Sequence, residues 1–281
     1  MAFKDILLVL ITYPEPVSAP EVQGAISFAV SLDARISAVA CIVKVRAPRH
    51  LAADAFIDIP ALVASEMNKS SDVAAELLAA FEVSAKKAGV FQESLKKTCF
   101  TSDVPDLLVR EARMRDLTIL PAVLEGHNYR WYAESIVFGS GRPFVILPPQ
   151  GRARELALDT VVIAWDGSRP AARAVADALP ILERAREVRV LTVLNEKELS
   201  SESPAAELSR YLERRGIAAK SDRVDAAGRR IGEVLKSYLT SNQTDLLVMG
   251  AYGHSRVREF ILGGATLSML SKPPVPLLLS H

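Results

Sequence analysis

The stretch DLLVMGAYGHSRVREFILGGATLSMLSKPPVPLLLS, residues 245–280, carries in order an apolar strand, a glycine turn, a helix and a second apolar strand. DLLVM shows no polar alternation, which marks a strand covered on both faces, as in a parallel sheet. Directly after it come Gly250-Ala251-Tyr252-Gly253, then the nine residues HSRVREFIL, then Gly263-Gly264-Ala265-Thr266 leading into the helix. Glycines at the end of a parallel strand let the backbone turn tightly and approach a ligand with no Cβ in the way. Free amides at the start of the next helix face the same space, backed by the positive end of the helix dipole. Such a pocket favours an anion, typically phosphate. Each charge-assisted backbone hydrogen bond contributes on the order of 1.5–3 kcal/mol, so a few amides can hold a triphosphate without any lysine. A Walker loop is excluded, because GK[ST] is absent.

Upstream, the second half alternates strands and helices. It runs VVIAW from Val161, a helical pattern from Pro170 to about Arg186, VRVLTVL from Val188, a helix from about Pro204 to Arg215, the half-buried IAAKSDRV, and a helix from about Arg229 to Ser241. Short β-branched and Leu-rich runs alternating with amphipathic helices predict βα units and a mostly parallel sheet. The first half repeats the order: ILLVLI, a helix over about Glu21 to Leu32, ISAVACIVKV, a loop, a long helix over about Ala64 to Lys87, and ESLKKTCF. A helix over about Pro105 to Arg113, DLTILP, a short helix over about Trp131 to Phe138 and PFVILP complete it. DLTIL from Asp116 aligns with DLLVM from Asp245, and PFVIL from Pro143 with PLLL from Pro276, so the chain reads as a tandem duplication. Pro148-Pro149-Gln150-Gly151 and the polar RARE after it separate the copies, giving domains over 1–150 and 151–281. The expected fold class is α/β, with two tandem doubly wound, mostly parallel five-stranded sheet domains packed as a pseudo-dimer.

The spacing Gly-x2-Gly-x9-Gly resembles the nucleotide-binding signature of the universal stress protein (UspA) family, in which Ser or Thr normally follows the last glycine. VVIAWDGS is similar to that family's first strand and turn, and VPLLLSH to its closing strand. The likeness runs from about Leu158 to the end of the sequence and is topological over residues 1–148, so the whole resembles a tandem universal stress protein. The resemblance implies an adenine-nucleotide site in the second domain. Ala164 and Asp166 would border base and ribose, and Val193 would meet adenine through its backbone. Gly250, Gly253, Gly263, Gly264 and Ala265 would contact ribose and phosphates. ATP or another adenine nucleotide is the implied cofactor, with Mg²⁺ held largely by phosphates and waters. The implied role is that of a cytoplasmic stress-response protein that acts by binding, occupancy altering a surface for a protein partner. Closing strands would meet at the domain interface, shielding their edges, and two chains could associate further as a homodimer.

Two departures stand out. Gly264 occupies the place of the usual hydroxyl, and Thr266 either supplies one or is an early helix residue. Tyr252 is bulky for a loop that approaches ribose. In the first domain Ile11-Thr12-Tyr13 stand where Asp166-Gly167 would be expected, Pro121-Ala122-Val123 replaces the first glycine and its neighbours, and Gly139-Ser140-Gly141 survives as a local turn. Proline removes an amide and fixes φ, which spoils a backbone phosphate cradle, so no family-type site is expected there. Glu125, His127, Tyr129, Trp131 and Tyr132 crowd the corresponding loop, either to cover the sheet edge or the partner domain, or to meet a different ligand.

Read from the residues alone, a carboxylate such as Asp166 at the C-terminal edge of a parallel sheet sits where open α/β sheets bind ligands. WDGS is equally a helix start, since Asp and Ser favour that place. His254, beside Arg256 and Arg258, has no Ser or Cys nucleophile paired with it by any recognisable pattern, so no catalytic residue is assigned. Slow hydrolysis of ATP by water is the enzymatic alternative, and a scaffold without nucleotide is the other.

Composition narrows the classes. With 281 residues, 49% hydrophobic and 24% charged, the chain has room for two cores and is neither disordered nor fibrous. The halves carry −2 and +3, a near-neutral balance that excludes a basic nucleic-acid track. Cys41 and Cys99 match neither a disulfide framework nor a CxxC pair, which points to a reducing compartment. His50 and His281 stand isolated, no HxxxH or HxH spacing offers a metal site, and no apolar run approaches the length of a membrane span. The segment Arg46 to Pro60 reads as a lid, a partner-binding loop, or an extension packed on its own domain.

Overall fold

The computed structural model describes residues 2–44, 59–123, 127–149, 158–194, 204–251 and 264–281. Of the expected linker, Pro148 to Gly151 with RARE after it, all but Pro148 and Pro149 lies outside them, as do residues 46–58 of the segment Arg46 to Pro60. The first half consists of β1 (Asp5–Leu10), α1 (Ala19–Ser31), β2 (Arg35–Lys44), α2 (Ile59–Lys87), β3 (Phe91–Phe100), α3 (Val104–Arg113), β4 (Leu117–Pro121), α4 (His127–Gly139) and β5 (Phe144–Leu147). The second consists of β6 (Thr160–Ala164), α5 (Arg169–Leu182), β7 (Glu187–Leu194), α6 (Pro204–Glu213), β8 (Ala219–Asp225), α7 (Ile231–Ser241), β9 (Leu246–Gly250), α8 (Gly264–Ser271) and β10 (Leu277–Ser280).

The strands join into one sheet, ordered β3-β2-β1-β4-β5-β10-β9-β6-β7-β8. Every neighbouring pair is parallel except β5 with β10, which run antiparallel with Leu277 opposite Ile146, Leu278 opposite Val145 and Leu279 opposite Phe144. The two five-stranded units expected from sequence thus fuse through their closing strands into a ten-stranded sheet. The buried pattern follows position. β4, β5 and β10, in or beside the middle, are buried at every residue, whereas the outer strands β3 and β8 alternate between half-buried and exposed. Charged side chains such as Glu93, Lys96, Lys220 and Asp222 line those outer strands, a composition that discourages further strand addition.

The duplication is visible in a repeated latch. Asp116 Oδ2 accepts from the amides of Lys4 (2.8 Å) and Asp5 (3.1 Å), and its own amide donates to the Asp5 carbonyl (2.9 Å). Asp245, its counterpart in the second half, accepts from the Thr160 amide (2.8 Å) and donates to the Thr160 carbonyl (2.9 Å). Each aspartate pins the start of one central strand to the next.

Most helices begin close to where the sequence indicates, but α2 begins at Ile59 instead of about Ala64 and α4 at His127 instead of about Trp131. α5 stops at Leu182 instead of continuing to about Arg186, because the Glu187 amide must reach the Asp159 carbonyl (2.8 Å) to open β7 beside Thr160. α4 is longer than expected, running from His127 to Gly139. No helix among the described residues is long and apolar enough to cross a membrane.

Candidate functional site

In the second half β7 and β8 lie on one side of β6, and β9 and β10 on the other. The chain reverses its direction of travel across the sheet there. An open α/β sheet offers a ligand crevice at such a switch point, outside the C-terminal ends of the strands. Ala164 ends β6, half-buried, paired with Met249 of β9 and Leu191 of β7. Val193, half-buried, is the next-to-last residue of β7, and Gly250 is the last of β9. These residues therefore share one edge of the sheet with the N-terminal ends of α5 and α8.

Asp166 is exposed two residues beyond β6. Its Oδ1 accepts from the Ser168 amide (2.9 Å), Gly167 takes the left-handed φ of +72°, and Ser168 Oγ accepts from the Ala171 amide (3.3 Å) as the cap of α5. WDGS is thus a complete helix start, with its carboxylate at the crevice rim.

Gly250 has a packing reason for being glycine. A Cβ there would lie 2.4 Å from the Ala171 nitrogen and 2.5 Å from the Pro170 carbonyl carbon, so any side chain collides with the backbone of α5. Gly264 is the opposite case: it is exposed at the head of α8, and a Cβ there would meet nothing within 4 Å among the described residues. Ala265 follows half-buried, and Thr266 is buried, 3% exposed, on the inward side of α8. α8 is itself seated by close approach to α7, where a Cβ on Gly232 would lie 2.6 Å from Ser268. Gly253 and Gly263 lie outside the described residues, as do Tyr252, His254, Arg256 and Arg258.

The corresponding edge of the first half is closed. Thr12 Oγ1 donates to the Cys41 carbonyl (2.5 Å) and contacts Ser70 Oγ (3.0 Å), while the Val43 amide donates to Ser70 Oγ (3.0 Å). Ser70, buried in α2, so ties together the ends of β1 and β2. The space left is lined mainly by apolar groups, among them Leu10, Val43, Val104, Leu108 and Tyr132. Burial pushes the Tyr132 hydroxyl up to about 12 and raises Tyr129 further, so both stay neutral across the physiological range. Pro121 ends β4 where Gly250 ends β9. Of the aromatic group noted in this loop, Tyr129 and Tyr132 are core residues, and Trp131 is 42% exposed. Glu125 and the His127 side chain lie outside the described residues.

Two relationships escape the sequence. Cys41 and Cys99, far apart in the chain, fall on neighbouring strands with Cys99 opposite Val43; both are free, their thiols interact, and burial raises both. His281, which looks isolated, places Nδ1 2.9 Å from the Ala251 carbonyl and packs edge-on against Phe138. Neither has a local spacing that would reveal it. Ser70 is equally silent, one of two adjacent serines in NKSSD. Among the described residues no group of three or more His, Cys, Asp or Glu is placed to hold a metal.

Comparison with known proteins bears on the family and the fold. The model of the universal stress protein family matches residues 157–281. A universal stress protein of Synechocystis is 44% identical over 46 residues, which span 16% of this chain and 16% of that protein. The crystal structure of a universal stress protein from Archaeoglobus fulgidus superposes with a TM-score of 0.71 at 14% identity, covering 98% of this chain and 96% of its own, which establishes a shared fold over both halves. A universal stress protein solved in complex with cAMP covers 44% of this chain and 97% of its own at 20% identity, with a TM-score of 0.34, too slight a likeness to carry its ligand over. Residues 157–281 are thus a domain of the universal stress protein family, preceded in the same chain by a second unit of the same fold.

Proposed function

We propose that the second half, residues 151–281, binds an adenine nucleotide at the β6/β9 switch point, and that the protein is a cytoplasmic stress-response regulator acting by occupancy. The first half, residues 1–150, contributes no nucleotide site of its own. The observation that carries this reading is the open head of α8: the helix starts with Gly264 beside the strand ends, and among the described residues no side chain fills the space above that glycine. Backbone amides at that place favour phosphate. Asp166 and Ala164 on the β6 side would take the nucleoside, Val193 would meet the base through its backbone, and Gly250, Gly253, Gly263, Gly264 and Ala265 would face ribose and phosphates. Thr266, buried, would support α8. Mg²⁺ would be held by phosphates and waters, with no side chain required.

Isothermal titration with ATP, ADP and AMP, on the wild type and on Gly264→Val, tests it. A valine fits the open space without disturbing the core yet obstructs the amides. Saturable heats in the wild type that vanish in the variant are expected; negligible heats in both overturn the reading.

A scaffold without nucleotide is the second reading. It is favoured by Gly250 and Asp166, whose identities are already accounted for by α5 packing and capping. Mass spectrometry of small molecules carried through purification separates the two: bound ATP or ADP eliminates the scaffold, and ADP alone directs attention to slow hydrolysis.

A further inference from the structure

α4 belongs to the first half, yet its C-terminal end reaches the strand ends of the second. The Phe138 ring meets the His281 ring edge-on, with centroids 4.9 Å apart and planes at 78°. His281 Nδ1 lies 2.9 Å from the Ala251 carbonyl, and because a carbonyl only accepts, Nδ1 carries the proton and donates. Ala251 is fully buried, and its own amide donates to the Ser280 carbonyl (2.8 Å). The residue that follows Gly250 is therefore held at both its N–H and its C=O by the end of β10, and that end is held in turn by a ring from the first half. α4 also lies against α8, the other arm of the crevice.

The brace is firm at its root. Arg113 Nε donates to the Gly139 carbonyl (3.1 Å), closing the end of α4, and the bare Cα of Gly139 lets α3 approach until a Cβ would stand 3.0 Å from both Val109 methyls. We propose that the first half, whose own crevice is closed, acts as a brace for the crevice of the second, with Phe138 and His281 as positioning residues for the Gly250–Ala251 turn. The coupling is reciprocal, as any linkage between two sites must be: a ligand on the turn is felt at α4.

The ligand readout rests on the nucleotide reading above, so the test has an arm that does not. In the full chain, Phe138→Ala, His281→Ala and the double variant are compared by amide hydrogen exchange at Gly250–Ala251 without ligand, by ATP titration, and by melting temperature. Phe138 is 41% exposed, so its truncation leaves the core filled. Each single variant should speed exchange at Ala251 and weaken ATP about threefold to tenfold, the scale of one aromatic contact, with the melting temperature held. The double variant should add nothing further, since both residues form one chain of contact. Unchanged exchange in both single variants, or additive effects in the double, overturns the brace whatever ATP does. Faster exchange with no ATP binding by the wild type supports the brace and sinks the nucleotide reading instead.

Discussion

Gly250 and Gly264 look alike in the sequence and are opposites in the fold. At Gly250 a methyl group meets backbone atoms of α5 at 2.4–2.5 Å, and backbone cannot rotate away as a side chain can. Gly250→Ala is expected to cost about 1–3 kcal/mol, seen as an earlier urea midpoint with unchanged slope. At Gly264 a serine has open space, so Gly264→Ser should hold or slightly raise stability and add a donor over α8. If the crevice takes a triphosphate, that one charge-assisted bond should tighten ATP about tenfold in the same titration, while AMP is unaffected. The buried tyrosines give a pH signature. Tyr132 titrates in the fold at about 12, above its ordinary value of 10.0, so the folded state holds the proton more tightly than the unfolded chain does. Its contribution to stability is complete below the ordinary value and is lost as pH climbs from there toward 12. Denaturation midpoints should fall across that interval, and absorbance at the phenolate band should show Tyr129 and Tyr132 ionising late; a Tyr132→Phe variant should flatten part of the fall.

The elements were legible in proportion to how local their causes are. ILLVL, LTIL, FVIL and LLVM declare buried parallel strands by having no polar alternation, and the alternation in β3 and β8 marks them as outer strands. The end of α5 was not legible, because ERAREV suits helix or turn and the decision is made across the sheet by Asp159 and Thr160. The site was legible only in part for the same reason. Its glycines stand out, but the cause of Gly250 is a helix far from it in sequence, and the closure of the first crevice by Ser70 and Thr12 depends on two elements meeting. The start of α5 is the local device most open to test. Ser168→Ala removes the hydroxyl that accepts from Ala171 and should cost about 1 kcal/mol, read as a lower melting temperature. Since α5 and Gly250 are in contact, the loss should be less than additive with Gly250→Ala.

At the scale of the whole molecule the seam is narrow and apolar. β5 and β10 face each other over three residue pairs, all buried, with Arg184 just beyond α5 also donating to the Ser31 carbonyl at the end of α1 (3.2 Å). A fragment of residues 158–281 would expose the edge of β10, with Leu277, Leu278 and Leu279 beside unpaired backbone groups. It should form a dimer by antiparallel pairing of β10 with its own copy, or precipitate, and light scattering after gel filtration distinguishes a monomer, which would contradict the expectation. In the intact chain the same seam is supplied from within, at an effective concentration that dilution cannot lower. A homodimer held by such a short contact would come apart as its protomers become scarce, and any mutation would strike both copies at once. Joined in one polypeptide, the halves stay together at any abundance, and each position is inherited separately. That freedom is what allows Pro121 on one side of the seam and Gly250 on the other: one copy fills the space at its strand ends with serine, threonine and tyrosine, and the other ends the corresponding strand in a glycine.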